Sequence, residues 1–275
     1  MIERAVILAR GMGKRMRRSL SNLKLDPTVR KFAEKGWKPF VPIAGRPFIE
    51  YQLHELARMR IRELCLVVGP EHLELKEYFE RIEKALGLRI RLAIQEKPLG
   101  TADALLASKS IIGDNEFILL NGDNFYPRNA IDALIKPEAD GCYVAGFELK
   151  TLIEQSNFTP ERVKSFSVIV ADDNLNLVRI IEKPSNPEAY KTSYGILVSM
   201  NLWRFNSKIY EACSRIEPHP IRGEYELTSA VQYMVDHGIE KVKVIPVRSY
   251  VLDLTYASDI EAVENILRRV VENNA

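Results

Sequence analysis

Short apolar runs of strand length recur along the first half of the chain, at Arg4 to Leu8, Glu63 to Val68, Arg89 to Ile94 and Glu116 to Asn121. Between them, apolar positions repeat every three or four residues, the spacing that gathers side chains on one face of a helix. This alternation predicts a parallel sheet, because parallel neighbours need a long crossover and a helix supplies it. One crossover helix is expected to open at Pro47, whose fixed φ suits a first helical turn, and to carry Ile49, Leu53 and Leu56 on one face. A second should cover Glu71 to Leu86 and stop at Gly87, a residue at ease in the left-handed region.

The second half changes character. Gly141 to Leu149, Ser165 to Ala171, Leu175 to Ile181 and Gly195 to Ser199 read as strands joined by turn residues such as Asp172-Asp173-Asn174. Helices are expected at about Glu224 to His237 and Ala257 to Val271, flanking a strand near Lys241 to Val247. No internal repeat is found, and no hexapeptide pattern follows the last helix. The expected fold class is therefore α/β, a mostly parallel sheet with a smaller mixed-strand portion, in one domain over residues 1–275.

Composition supports a globular chain: 46% of its 275 residues are hydrophobic and 28% charged, enough to bury a core without spanning a bilayer. The net charge of +2 creates no broad field, so neither nucleic acid nor a membrane surface is expected as a partner. Cys65, Cys142 and Cys213 are odd in number, far apart and set in apolar runs, which reads as buried thiols in a reducing cytoplasm. The run Ala5 to Ala9 is too short for a secretory core, and no stretch approaches the ~20 apolar residues of a membrane helix. A soluble cytoplasmic protein is expected.

The first strand runs into Leu8-Ala9-Arg10-Gly11-Met12-Gly13-Lys14-Arg15-Met16. Glycines let backbone N–H groups point at an anion, and cations just beyond them can neutralise phosphate charge. Two familiar loops do not fit. A Walker loop needs glycine where Leu8 stands and Ser or Thr where Arg15 stands, and a dinucleotide fingerprint needs glycine where Met16 stands. Taken alone, the segment reads equally as a tight turn with surface cations.

Further segments give it a context: Lys38-Pro39-Phe40-Val41-Pro42-Ile43-Ala44-Gly45-Arg46-Pro47, Pro98-Leu99-Gly100-Thr101-Ala102, Leu120-Asn121-Gly122-Asp123-Asn124, Glu182-Lys183-Pro184, Gly223-Glu224-Tyr225-Glu226-Leu227-Thr228 and Asp253. In this order, over nearly the whole chain, they resemble the sugar-1-phosphate nucleotidyltransferases (NDP-sugar pyrophosphorylases), in particular glucose-1-phosphate uridylyl- and thymidylyltransferases. The resemblance implies a Rossmann-like fold of the nucleotide-diphospho-sugar transferase type. It implies Mg²⁺-dependent, in-line attack of a sugar 1-phosphate, glucose 1-phosphate foremost, on the α-phosphorus of UTP or dTTP, giving an NDP-sugar and pyrophosphate. Such a reaction joins two polyanions, so positioning and charge neutralisation dominate its catalysis.

The resemblance also implies roles. Arg15 clamps the β- and γ-phosphates carried by the loop Gly11 to Arg15, and Lys38 lies between the α-phosphate and the attacking phosphate. Leu8, Ala9, Gly11, Gly13, Lys14 and Gly122 belong to the nucleotide side, where Gln95, Gly100 and Thr101 face the base. A glutamine amide offers a base edge both a donor and an acceptor. Asp123 follows a strand at its carboxyl end, where open α/β sheets put their ligands, and a carboxylate there can hold Mg²⁺. Asp253 is the second metal carboxylate by resemblance, and without it would read as a turn or capping residue. Glu182 is placed to accept from sugar hydroxyls, Lys183 to bind the sugar phosphate, and Tyr194 and Gly195 to let the sugar approach the backbone.

The chain departs from its relatives in three places. They usually carry Gly-Gly-x-Gly-Thr-Arg, whereas Arg10 and Lys14 replace a glycine and the threonine here. Those cations either strengthen triphosphate binding or, in the case of Arg10, crowd the nucleoside. Arg15 and Lys38 lie 23 positions apart, about a dozen more than usual. This basic insertion, about 17–37, reads either as a lid over bound phosphates or as a solvated helix and loop open to subunit contacts. Around Asp253 the family's Trp-x-Asp-x-Gly-Thr is Tyr250-Val251-Leu252-Asp253-Leu254-Thr255, without the glycine.

No rival constellation competes, since His54, His72, His219 and His237 lack metal-ligand spacing and no serine elbow or paired-cysteine motif occurs. Left open are a cytidylyl- or guanylyltransferase acting on mannose or heptose phosphate or phosphocholine, a non-catalytic regulatory relative, and homo-oligomer formation. No acyltransferase domain is expected after the last helix.

Overall fold

The computed structural model describes residues 2–21, 23–137 and 139–273. Its centre is a nine-stranded sheet of β1 (Arg4–Leu8), β2 (Glu63–Val68), β3 (Arg89–Ile94), β4 (Phe117–Asn121), β5 (Cys142–Glu148), β6 (Ser167–Ala171), β7 (Leu177–Glu182), β8 (Leu197–Phe205) and β9 (Val242–Val247). The order is β7-β6-β8-β4-β1-β2-β3, with β5 also paired to β8 and β9 to β5. The block β4-β1-β2-β3 is parallel, as are β5 and β9. Only β8 and β7 run against the other strands. The fold is thus α/β and Rossmann-like, with the mixed pairing confined to the second half, as the pattern predicts.

Alternation along the strands divides the core. Ala5 and Ile7 of β1 and Ile118 and Leu120 of β4 face one layer, and Val6, Phe117 and Leu119 face the other. On the first face pack α3 (Phe48–Arg58), through Ile49, Leu53 and Leu56, and α4 (Lys76–Leu86), through Phe79 and Ile82. On the second pack α5 (Thr101–Ala107) and the helix Leu227–Asp236. Burying both faces is what makes these strands near-continuous apolar runs.

Two expected boundaries move furthest. The helix expected from Glu71 begins as a 3₁₀ turn, Pro70–Leu75, because the buried His72 ring accepts the Gly69 N–H at 3.1 Å and holds a tighter turn. The helix proper follows as α4 and ends at Gly87, φ 63°, as read. Strand β8 extends beyond Ser199 to Phe205, past Asn201, whose φ of 56° interrupts the alternation. That irregularity splits one edge of β8: Val198 and Ser199 pair with β6, whereas Trp203 to Phe205 pair with β4. An opening results at the carboxyl end of β4.

The insertion is built into a third cluster. α1 (Lys14–Arg18) buries Met16, and α2 (Pro27–Lys35) buries Ala33. Both pack with Ile43, Leu252, Leu254 and the helix Asp259–Asn273.

Candidate active site

The site forms where β1 and β4 end side by side. Gly122 donates its N–H to Leu8 C=O at 2.8 Å, and a Cβ on Gly122 would stand 3.0 Å from that oxygen, so a side chain there would push the two strand ends slightly apart. From Leu8 the chain crosses the mouth of a cleft of about 500 Å³ lined by Arg10, Gly11, Met12, Gly13, Lys14 and Arg15. Gly13 takes φ 55° at the start of α1, and its Cα lies against Gly36, the left-handed cap of α2. A side chain on either glycine would collide with the other's backbone or with Met12 C=O. The insertion therefore supports the loop from behind. It is not a detached flap.

Trp37, Pro39 and Phe40 are buried and anchor the 3₁₀ turn Lys38–Phe40, which directs Lys38 into the cleft. Its ammonium donates to Asp123 Oδ2. Burial opposes the lysine charge, but Asp123 and Asp253 outweigh it and hold the pKa above 10.5, so Lys38 is cationic at neutral pH. Asp123 follows β4, and beyond it Asn124–Phe125 pairs antiparallel with Leu252–Asp253, bringing both carboxylates to one place. Asp253 is engaged on both oxygens: Arg162 donates to Oδ1 and Asn124 to Oδ2, the latter at 3.0 Å. Arg162 also reaches Asp259 at 3.1 Å and lies over the rings of Phe158 and Tyr256.

Among the described residues no group of three or more His, Cys, Asp or Glu could hold a metal ion. Asp123 in the cleft lining, with Asp253 close behind it, nevertheless suits Mg²⁺, which prefers one or two carboxylate ligands with phosphate oxygens and water completing the shell. The donor set fits.

Gln95, Pro98, Gly100, Thr101 and Ala104 also line the cleft. Gln95 is buried, and its amide NH₂ donates to Gly100 C=O at 3.0 Å and to Asp103 Oδ2 at 2.7 Å. Both partners are acceptors, which fixes the amide orientation and leaves Oε1 as the side chain's remaining group. The Thr101 hydroxyl accepts the Leu227 N–H at 2.9 Å. Polar side chains of Ser167, Glu182, Ser199, Asn201, Glu224 and Glu226 also line the cleft. Arg222 bridges its carboxylates, donating to Glu182 at 3.0 Å and to Glu226 at 2.8 Å. Burial holds the Glu226 pKa above its ordinary value against the pull of Arg222, and Glu182 adds to the rise.

The cleft thus unites Leu8, Gly11, Gly13, Lys14, Arg15, Lys38, Gln95, Gly100, Thr101, Asp123 and Glu182. Ala9 and Gly122 are buried and not part of its lining. Asp253 is held behind it by Arg162. Lys183, at φ 46°, and the exposed Tyr194 with Gly195, in the turn Thr192–Gly195, are not part of its lining. Residues that motif reading gave no role are Asn121, Ser167, Ser199, Asn201, Glu224, Glu226, Arg162 and Arg222. Glu224 and Glu226 stand inside the quoted Gly223-to-Thr228 segment, so a signal existed for them. For Arg162 and Arg222 none did, since their partners are 91 and 40 positions away.

An α/β sheet with a glycine loop, a partly buried lysine and paired carboxylates at its carboxyl edge is the architecture of a phosphate-binding enzyme class. A family model described as Nucleotidyl transferase matches residues 4–268, and the chain belongs to that family. It is 31% identical over 237 residues to a glucose-1-phosphate thymidylyltransferase of Streptomyces antibioticus, covering 86% of this chain and 58% of that protein. It is 26% identical over 264 residues to the UTP–glucose-1-phosphate uridylyltransferase AglF of Haloferax volcanii, covering 96% of each. The first of these illustrates that the chain spans little more than half the length of several curated relatives it matches. Among solved structures, the inositol-1-phosphate CTP transferase of T. maritima superposes with a TM-score of 0.73 at 18% identity, over 98% of this chain and 96% of that one, a likeness of fold. No described helix is long and apolar enough to cross a membrane.

Proposed function

We propose that the chain transfers a nucleotidyl group from UTP or dTTP to the phosphate of a sugar 1-phosphate, with glucose 1-phosphate the first acceptor to test, and releases pyrophosphate. The observation that carries this reading is that one cleft is lined together by Gln95, the glycine loop, Lys38, Asp123 and Glu182. A nucleobase, a row of phosphates and a sugar would share that cleft.

The loop N–H groups with Lys14 and Arg15 bind the β- and γ-phosphates. Lys38, held cationic, lies between the α-phosphate and the acceptor and stabilises the charge that gathers as the acceptor oxygen bonds to the α-phosphorus and the bond to pyrophosphate breaks. Asp123, with Asp253 behind it, would hold Mg²⁺, which when bound neutralises phosphate charge. Gln95 Oε1, the free acceptor, suits the N3–H of uracil or thymine, whereas cytosine presents an acceptor at N3. The names of the thymidylyl- and uridylyltransferase relatives support the same choice.

Pyrophosphate release measured with Mg²⁺, five nucleoside triphosphates and a panel of sugar 1-phosphates plus phosphocholine tests this. Turnover with UTP or dTTP and a hexose 1-phosphate is expected. Turnover confined to CTP or GTP, or none with any pair, overturns it.

A further inference from the structure

We propose that Arg10, which stands where relatives carry glycine, is a positioning residue for the nucleobase: it locks Gln95 in place and thereby sets base discrimination. The inference rests on the reading of Gln95 as the base-facing side chain. Arg10 leaves the glycine loop, and its guanidinium is held by Glu71 and Gln95. Nε and Nη2 donate to the two carboxylate oxygens of Glu71 at 3.1 and 3.3 Å, and Nη1 donates to the main-chain carbonyl of Gln95. The side chain is 8% exposed. A Cβ on Gly69 would collide with both Arg10 Nε and the Glu71 carboxylate, so the chain keeps a glycine where the clamp passes.

Arg10 thus joins the loops that follow β1, β2 and β3. Gln95 is its focus. The Gln95 N–H bonds Val68 C=O at 2.9 Å, its carbonyl takes Arg10, and its amide NH₂ takes Gly100 and Asp103. Among the described residues only Oε1 is left without a partner, a lone acceptor on an immobilised residue. Such a group favours a base that presents N–H and leaves an acceptor facing an acceptor with cytosine. Glu71 neutralises Arg10 locally, so Arg10 adds little to the phosphate field, in contrast to Lys14 and Arg15, which have no ion pair among the described residues. Shortening Arg10 frees the Gln95 carbonyl, lets Oε1 shift, and weakens discrimination while leaving the phosphate cations in place.

The test is calorimetric binding of UTP and of CTP to the wild type, Arg10→Met, Arg10→Lys and Glu71→Gln, with pyrophosphate release followed separately and folding checked by urea midpoint. The wild type should prefer UTP, Arg10→Met should reduce the UTP:CTP affinity ratio about tenfold, and Arg10→Lys, with one nitrogen to reach two partners, should recover part of it. Glu71→Gln, at a half-exposed residue, should move the ratio the same way and serves if Arg10→Met does not fold. In turnover the loss should appear in KM for UTP and not in kcat. An unchanged ratio in Arg10→Met, or equal weakening toward UTP and CTP, overturns the role of Arg10. A wild type that binds both equally or neither overturns it together with the base assignment, and a wild type that prefers UTP without releasing pyrophosphate overturns the catalytic reading alone.

Discussion

Lys38 shows how a residue acquires its chemistry from its neighbours. Its pKa is held up, so the ion pair with Asp123 contributes below the ordinary lysine value of 10.5 and is lost only as pH rises beyond it, leaving the working range untouched. Asp123→Asn should remove most pyrophosphate release, and because the pair is partly exposed it should cost no more than about 2 kcal/mol in a urea titration. An active Asp123→Asn enzyme would sink the assignment. Arg162 makes the opposite case: it serves two carboxylates in a nearly closed setting, so Arg162→Met should cost about 3 kcal/mol by leaving Asp253 and Asp259 facing one another. His72 sets a pH dependence. Burial between Trp37 and Phe40 lowers its pKa below 6.5 despite the adjoining Glu71, so the unfolded chain binds the proton first. Stability should be full above pH 6.5 and decline as pH falls through the lower folded value, and His72→Phe should remove that component of the slope. At this scale the sequence was legible where a motif is local, as at Gly11, Gly13, Lys38 and Asp123. It was silent where a side chain meets a distant partner, as Arg162 and Arg222 do.

At the scale of elements, the insertion is the instructive case. Its cations drew attention in the sequence, while its few apolar residues decide its place: Met16, Leu20 and Ala33 are buried against the last helix, and Ser19 Oγ accepts the Ala257 N–H at 2.8 Å. Local signals define α2 well, with Asp26 capping Thr28 N–H at 2.8 Å, Pro27 in the first turn and Gly36 closing it at φ 75°. That Gly36 also abuts the phosphate loop could not be read from them. The two ends of this helix should therefore respond differently. Asp26→Ala loses a cap and about 1 kcal/mol, with KM for the triphosphate unchanged. Gly36→Ala meets both a disfavoured φ and Met12 C=O at 2.5 Å, so it should cost at least about 2 kcal/mol and raise that KM by displacing Gly13. Equal KM in the two variants would mean that the insertion does not support the loop.

The whole molecule adds what neither scale contains. A parallel sheet sends every strand of the block β4-β1-β2-β3 toward the same edge, and the split in β8 opens that edge beside Asp123. The periodicity foretold the sheet and the change of character in the second half. It could not foretell the split, which depends on Asn201 adopting φ 56° in mid-strand. Charge is likewise a property of arrangement. The net value of +2 is small, yet Lys14, Arg15, Arg17 and Arg18 lie exposed on the one short helix α1 that begins at the cleft, with no ion pair among the described residues. Such a cluster attracts a polyanion over about 30 Å at 0.01 M salt but only about 8 Å at 0.15 M. If the ligand is a triphosphate, kcat/KM should fall steeply between those two conditions, mainly through encounter. Arg17 and Arg18 are not in the cleft lining, so replacing both by Ala should flatten the salt dependence while kcat is retained. A slope unchanged in that double variant would show that the field comes from Lys14 and Arg15 alone, and a kcat that collapses would put Arg17 or Arg18 in contact with the phosphates.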